Sequence, residues 1–188
     1  MARPREFDRE AALEAAACVF RAHGHQGASM AELTRAMQIG KQSLYDTFGD
    51  KWRLYLEALT RDVAADGAAH RAALSTGPRA LDGLEIFLAR VRATAAQPNL
   101  GLAATLAFGR AQPEVAAILG SAERALQAAL AARVREAQAE GDVAAELDPR
   151  EAAAFLSAGI AGIRAAGRAG ASAVQLQALA ELTLRALR

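Results

Sequence analysis

ALEAAACVFRAHGHQGASMAELTRAMQIGKQSLYDTFGDKWRLYLEAL, residues 12–59, is the stretch whose reading decides the fold. It holds four amphipathic segments separated by short breaks. The first begins at the cap Asp8, buries Leu13, Ala16 or Ala17, and Phe20 at helical spacing, and stops at Gly24 and Gly27. The second opens on Ser29, whose hydroxyl can accept from the Glu32 amide while Glu32 reaches back, a capping box ahead of the stripe Met30, Leu33 and Met37. Gln38, Ile39 and Gly40 then lead into a short third segment, Lys41–Phe48, which Gly49 stops. Asp50 caps a long fourth helix with Trp52, Tyr55 or Leu56, Leu59 and Val63 on its buried side. Two helices joined by about three residues, the second short and polar on one side, are the parts of a helix-turn-helix, in which the first supports and the second enters the major groove. Short helix pairs are common in all-α proteins, so spacing alone leaves DNA binding open.

Outward from this stretch the pattern stays helical. Pro78 starts a fifth helix with Leu81, Leu84, Leu88 and Val91 on one face, and Pro98 ends it. A sixth runs from Asn99 to about Gln112 with no charge before Arg110, and a seventh from Pro113 to about Glu140. Asp148-Pro149-Arg150-Glu151 combines a cap, a proline at the first helical position and an early acid, which marks the eighth, and Ser172 caps the last. Valine, isoleucine and threonine total only 19, and no period-two run is bounded by turn residues, which argues against a sheet. The expectation is an all-α chain: an N-terminal three-helix helix-turn-helix head followed by a C-terminal helical bundle, about nine helices in total.

Composition narrows the function. The 188 residues are enough for one compact unit or two small ones, but 51 are alanine, so the core must come from scattered larger residues. A single cysteine, Cys18, excludes an intrachain disulfide, and neither CxxC nor a Cys/His cluster offers a metal site. His23 and His25 flank Gly24 and His70 is remote in sequence, so each is expected at the surface or in a loop. No HExxH, P-loop, GxSxG or dinucleotide fingerprint is present, so the reading is no enzyme, no catalytic residues and no cofactor. The charged start MARPREFDRE and the lack of a long uninterrupted apolar run lead to the expectation of a cytoplasmic protein with no membrane partner. Net charge is +1, and residues 1–51 balance seven basic side chains (Arg3, Arg5, Arg9, Arg21, Arg35, Lys41, Lys51) against seven acidic ones (Glu6, Asp8, Glu10, Glu14, Glu32, Asp46, Asp50). Any DNA affinity must then come from where the charges sit.

The residues themselves carry a resemblance. Phe20-x3-Gly24, Ala28-Ser29, Ser43-Leu44-Tyr45-x-x-Phe48 and Asp50-Lys51, in order and at matching spacing, closely resemble the head of TetR-family transcription regulators. Beyond residue 59 only the helix layout matches. The resemblance implies a DNA-binding domain over 1–51, a ligand-binding and dimerisation domain over 52–188, and a repressor that binds a palindromic double-stranded DNA operator as a homodimer and is released by a small apolar effector. Ser29, Tyr45, Thr47 and Lys51 are expected on phosphates, and Lys41, Gln42 and Ser43 on base edges. Lys41 and Lys51 are the two lysines of a chain with twenty arginines. Where the family has glycine this chain has Gln38, and where it has Ser or Thr this chain has Gly40. Arg3 and Arg5 suit a minor-groove arm or a solvated tail.

Two further sets are expected. Phe87, Val91, Leu106 and Phe108, with Arg90, Thr105 or Gln112 as polar contacts, are read as lining an effector pocket. Gly159, Ile160 and Ile163 on helix 8 with Leu179 and Leu182 on helix 9 are read as a dimer seam, since small residues permit close helix approach. An effector-free DNA-binding dimer with a purely structural body draws on the same residues.

Overall fold

The computed structural model describes residues 7–109 and 111–188, so Arg3, Arg5 and Arg110 lie outside the described residues. Among those described, the chain forms nine helices and no strand: α1 (Arg9–Gly27), α2 (Met30–Met37), α3 (Lys41–Phe48), α4 (Lys51–Leu74), α5 (Ala80–Thr94), α6 (Leu100–Phe108), α7 (Pro113–Ala139), α8 (Pro149–Arg168) and α9 (Ala173–Arg185). The all-α reading holds, with the helix-turn-helix segment at its N-terminal end. The helices divide into two compact units, one reaching to Ala64 and including Pro98–Leu119, the other made of Ala65–Gln97 and Gly120–Arg188. Helices α4 and α7 contribute residues to both.

In the first unit, helix starts follow the caps. Asp8 accepts from the amides of Glu10 and Ala11, and Ser29 and Glu32 form the expected reciprocal box. Gly24 adopts φ 66°, ψ 178° inside α1, a conformation that bends the chain and that only glycine takes cheaply. The core gathers Phe20, Leu33, Leu44, Leu54, Leu59 and Leu100, all fully buried, and each such side chain contributes about 2 kcal/mol by leaving water. The fourth helix buries Leu54, Tyr55, Ala58 and Leu59, while Trp52 stays half-buried, so its stripe is rotated from the one expected. Helix α6 stops at Phe108, short of Gln112, because Gly109 turns out of the helix at φ 53°.

In the second unit, Asp148 caps α8 through the amides of Arg150 and Glu151, and Ser172 caps α9 reciprocally with Gln175. Its core is Leu84, Phe87, Val91, Leu130, Val134, Leu156 and Ile163. Glycines let helices meet closely: a Cβ on Gly167 would lie 2.6 Å from the Ala95 backbone, and one on Gly159 would lie 2.7 Å from Thr183 Cγ2. Helix α7 is the described helix long and apolar enough to cross a membrane by length and composition alone. Alanine supplies much of that hydropathy, and Glu123 and Arg124 interrupt it.

Candidate DNA-binding surface

The site is built on the turn between α2 and α3. Gln38 takes φ 56°, ψ 34°, and is the one non-glycine residue with positive φ among those described. The chain therefore meets the family's glycine position with a glutamine in the left-handed region, at a steric cost of about 1 kcal/mol. Its amide still closes α2, donating toward the Arg35 and Thr34 carbonyls. Gly40 follows as the N-cap of α3 without any side-chain cap, leaving first-turn amides of α3 open to an outside acceptor.

Leu44 and Phe48, four apart, are fully buried, so the opposite side of α3 must face outward. Lys41, Gln42, Tyr45 and Asp46 are exposed there, with Ser43 and Thr47 half-buried at the flanks. Lys41 Nζ lies 5.9 Å from the centre of the Tyr45 ring, and Gln42 Nε2 donates to Asp46 Oδ1 at 2.8 Å. Before the Gln42 amide can read a base edge it must exchange this bond. Lys51 opens α4, half-buried, behind the Asp50 cap on the Arg53 amide. Exposed Ser29 spends its hydroxyl on Glu32, donating to Oε2 at 2.7 Å while accepting from the Glu32 amide at 3.1 Å. Six of the seven residues expected on DNA thus fall on α3 or the α4 start, and the seventh caps α2. Sequence reasoning passed over Arg35, an exposed cation in the last turn of α2.

The balanced charge of this region is resolved by segregation. Arg9 pairs with Glu57 at 2.5 Å and Arg21 with Asp62 at 3.0 Å, Arg21 and Arg61 both pair with Glu14, and Arg61 also reaches Glu10 at 3.4 Å. These partly exposed pairs contribute little stability individually. Three arginines thereby engage four acids along α1 and α4, while α3 itself carries one carboxylate, Asp46, on its exposed side.

Beside Lys51 lies an aromatic cluster that the histidine expectation missed. His25 is not a surface residue: its ring sits 5.2 Å from Trp52, 5.2 Å from Tyr55 and 6.2 Å from Phe108, and both ring nitrogens are buried without a hydrogen-bond partner among the described residues. Burial, and then the Lys51 charge, lower its pKa. Burial also pushes the Tyr55 phenol up to about 12. The usable signal was Trp52 and Tyr55 at i, i+3 on α4, an aromatic stripe calling for rings from other helices. His70 is likewise buried, in the second unit. Cys18 is exposed on α1, its Sγ 3.6 Å from Glu14.

The expected pocket residues divide between the units. On α5, Phe87 and Val91 are fully buried core residues, and Arg90 joins a polar cluster with Asp66, His70 and Arg164. In the first unit, Thr105 bonds the Gly101 carbonyl, Leu106 is 79% exposed, Phe108 belongs to the aromatic cluster, and Gln112 is exposed ahead of α7. A groove of about 330 Å³ between α5 and α9, lined by residues including Glu85, Leu88, Arg92 and Glu181, contains none of them. On α8, Ile160 and Ile163 point into their own core and Gly159 meets Thr183, which corrects the sequence reading of these three as a face open to a partner. Their helix turns its other side, with Phe155, Ala158 and Gly162, outward, and Leu179 and Leu182 on α9 are exposed.

Taken from the backbone up, a supporting helix, a tight three-residue turn and a short helix with a polar outer side define a helix-turn-helix DNA-binding protein. Residues 12–58 match the family described as bacterial regulatory proteins, tetR family. The chain is 30% identical to the HTH-type transcriptional repressor ComR of Escherichia coli, across 97% of this chain and 90% of that protein. It belongs to the TetR family of transcriptional regulators, which is not a class of enzymes. A 69-residue match at 39% identity, covering 37% of this chain and 36% of the relative, links it to the uncharacterized HTH-type transcriptional regulator YezE of Bacillus subtilis. Among solved structures, a cysteine mutant of the TetR family transcriptional regulator CifR, complexed with 26-bp double-strand operator DNA, superposes with a TM-score of 0.85 at 33% identity, covering 99% of this chain and all of that one.

Proposed function

We propose that this regulator is a cytoplasmic repressor that binds a near-palindromic operator as a homodimer and releases it when a small, mainly apolar effector binds. The observation that carries the DNA half is the outer side of α3, where Lys41, Gln42 and Tyr45 stand on the buried pair Leu44 and Phe48. In this reading Ser29, Tyr45, Thr47 and Lys51 hold phosphates and fix register, while Lys41, Gln42 and Ser43 read bases. Half-sites lie about one helical turn or slightly more apart, and affinity is nanomolar at moderate salt. Fluorescence anisotropy tests the division of labour. Lys51→Ala weakens specific and random DNA alike and lowers the salt slope by about one unit, whereas substituting Gln42 changes which bases are preferred. Equal effects of both variants on both DNAs would falsify it.

The dimer seam is proposed on the outward side of α8 and α9, with Phe155, Ala158, Gly162, Leu179 and Leu182, since these apolar or small residues remain exposed in the single chain. Phe155→Glu or Leu182→Glu then yields monomers in analytical ultracentrifugation. For induction, α4 runs unbroken from Lys51 to Leu74, so an effector that displaces its later half moves its start. The full burial of Phe87 and Val91 favours a second reading, an effector-free dimer. Linkage separates the two: an effector must weaken operator binding by the same factor by which operator weakens effector binding.

A further inference from the structure

The second unit encloses a polar cluster that DNA binding leaves unexplained. Asp66 and His70 come from α4, Arg90 from α5 and Arg164 from α8. Arg90 Nη2 donates to Asp66 Oδ1 at 2.9 Å, and Arg164 Nη2 donates to Oδ2 at 2.6 Å. The His70 ring, edge-on to Phe87 at 4.9 Å, places Nε2 3.4 Å from Asp66 Oδ2 and Nδ1 3.1 Å from Arg90 Nη1. Arg164 Nη2 also lies 3.1 Å from Nε2, so each ring nitrogen faces a guanidinium N–H and Nε2 faces the carboxylate as well. Burial pushes the Asp66 carboxyl up, but the His70 hydrogen bond and the Arg164 charge outweigh it and hold the group ionised, well below the usual range.

Charge does not balance in this arrangement. One carboxylate is shared by two guanidiniums, so the cluster carries surplus positive charge. Inside a helical unit such a surplus is costly without a counter-anion. Only one arginine is needed to neutralise Asp66. The side chains of Arg90 and Arg164 are 27% and 16% exposed, so the guanidiniums remain reachable. A second polar group stands on the same stripe of α8: Ser157, seven residues before Arg164 and therefore about 10 Å along the axis on the same face. Its hydroxyl is buried and has no hydrogen-bond partner among the described residues.

We propose that this cluster is the anion-recognising end of the effector site, where Arg90 and Arg164 grip the paired oxygens of a carboxylate or phosphate on a small amphipathic molecule. Ser157 takes a second hydrogen-bonding group of the same molecule about 10 Å away. The inference rests on the effector reading and adds its chemical class. The paired oxygens compete with Asp66 for the two guanidinium forks, which present parallel N–H groups suited to such anions.

The test uses the full-length, DNA-free protein at constant ionic strength, with octanoate, inorganic phosphate and neutral octanamide as probes. Octanoate or phosphate raises the melting temperature and octanamide does not; which anion acts separates a carboxylate from a phosphate ligand. Arg164→Gln weakens the effective anion about tenfold, the loss of one charge-assisted contact. Asp66→Asn does the reverse: it melts lower without ligand, regains stability in the anion, and binds it about tenfold more tightly because the competing carboxylate is gone. That gain is decisive even if the arginine variant fails to fold. Equal shifts with octanoate and octanamide, or an Asp66→Asn protein that gains nothing from either anion, overturns the proposal. Operator release by octanamide alone keeps the effector reading and overturns this one. Anion binding that leaves operator affinity unchanged supports the anion site and overturns the effector reading.

Discussion

His25 is half-buried with both ring nitrogens enclosed, His70 is buried, and the two units treat their histidines in opposite ways. Around His70, Asp66, Arg90 and Arg164 supply a polar partner for each ring nitrogen. Around His25 there are aromatic rings, and neither nitrogen has a hydrogen-bond partner among the described residues. The first unit carries other uncompensated local costs as well, in left-handed Gln38 and in the uncapped start of α3. The difference teaches that the DNA-binding unit seats its histidine in apolar packing, while the second unit seats its histidine among charged groups that touch both ring nitrogens. Each should then respond in its own direction when a residue is replaced.

The largest effect is expected where pairing is broken. Asp66→Ala leaves two guanidiniums without their shared carboxylate and should cost about 3 kcal/mol, read as a lower urea midpoint. In the first unit the corresponding change should stabilise. His25→Phe keeps an aromatic ring, removes two unsatisfied nitrogens and should gain about 1 kcal/mol, provided the slightly larger ring fits. The same substitution sharpens the comparison through pH. The His25 pKa is lowered on folding, so the unfolded chain binds the proton more readily, and stability falls as pH drops from its ordinary 6.5 through the lower folded value. Below the folded value the loss is complete, and above about 6.5 it is absent. Trp52 emission during unfolding should show this dependence in the parent protein and lack it in His25→Phe; an unchanged dependence assigns the titration to another group.

Smaller effects come from the turn. Gln38→Gly removes the left-handed strain at the expense of a more flexible unfolded chain, for a net gain of about 0.5 kcal/mol by thermal melting. Gly40→Ser has free space, since nothing lies within 4 Å of the Cβ position, and should add only a few tenths of a kcal/mol as a cap. If that hydroxyl also reaches a phosphate, operator affinity rises more than stability does, which gel retardation would report.

Helix order was legible in the sequence because its signals are local. Asp8, Ser29, Asp148 and Ser172 start helices where their hydrogen-bonding chemistry says they should, and Gly49 ends α3 as expected. The outward side of α3 was legible too, since the burial of Leu44 and Phe48 dictates it. What was hidden depends on which helices meet. Ile160 and Ile163 look equally fit for a partner or for the chain's own core, and only tertiary packing places them inside. Asp66, His70, Arg90 and Arg164 are scattered over 98 residues, so no spacing rule links them before the fold does. Gln38 stands between these cases: the substitution of the family's glycine was visible, but the left-handed backbone that the glutamine adopts there is shown by the structure.

The two lysines carry a practical consequence. Primary amines on side chains occur in this chain at Lys41 and Lys51 alone, one on the outer side of α3 and one at the start of α4. Arginine supplies every other permanent cation and does not react with amine-selective acylating reagents. Such a reagent, used above the pH at which the α-amino group has been blocked, therefore marks this surface and no other side-chain position. Bound duplex should shield both amines, so the extent of labelling becomes a direct count of how many protein molecules have DNA on that side, with no need to know the operator sequence beforehand.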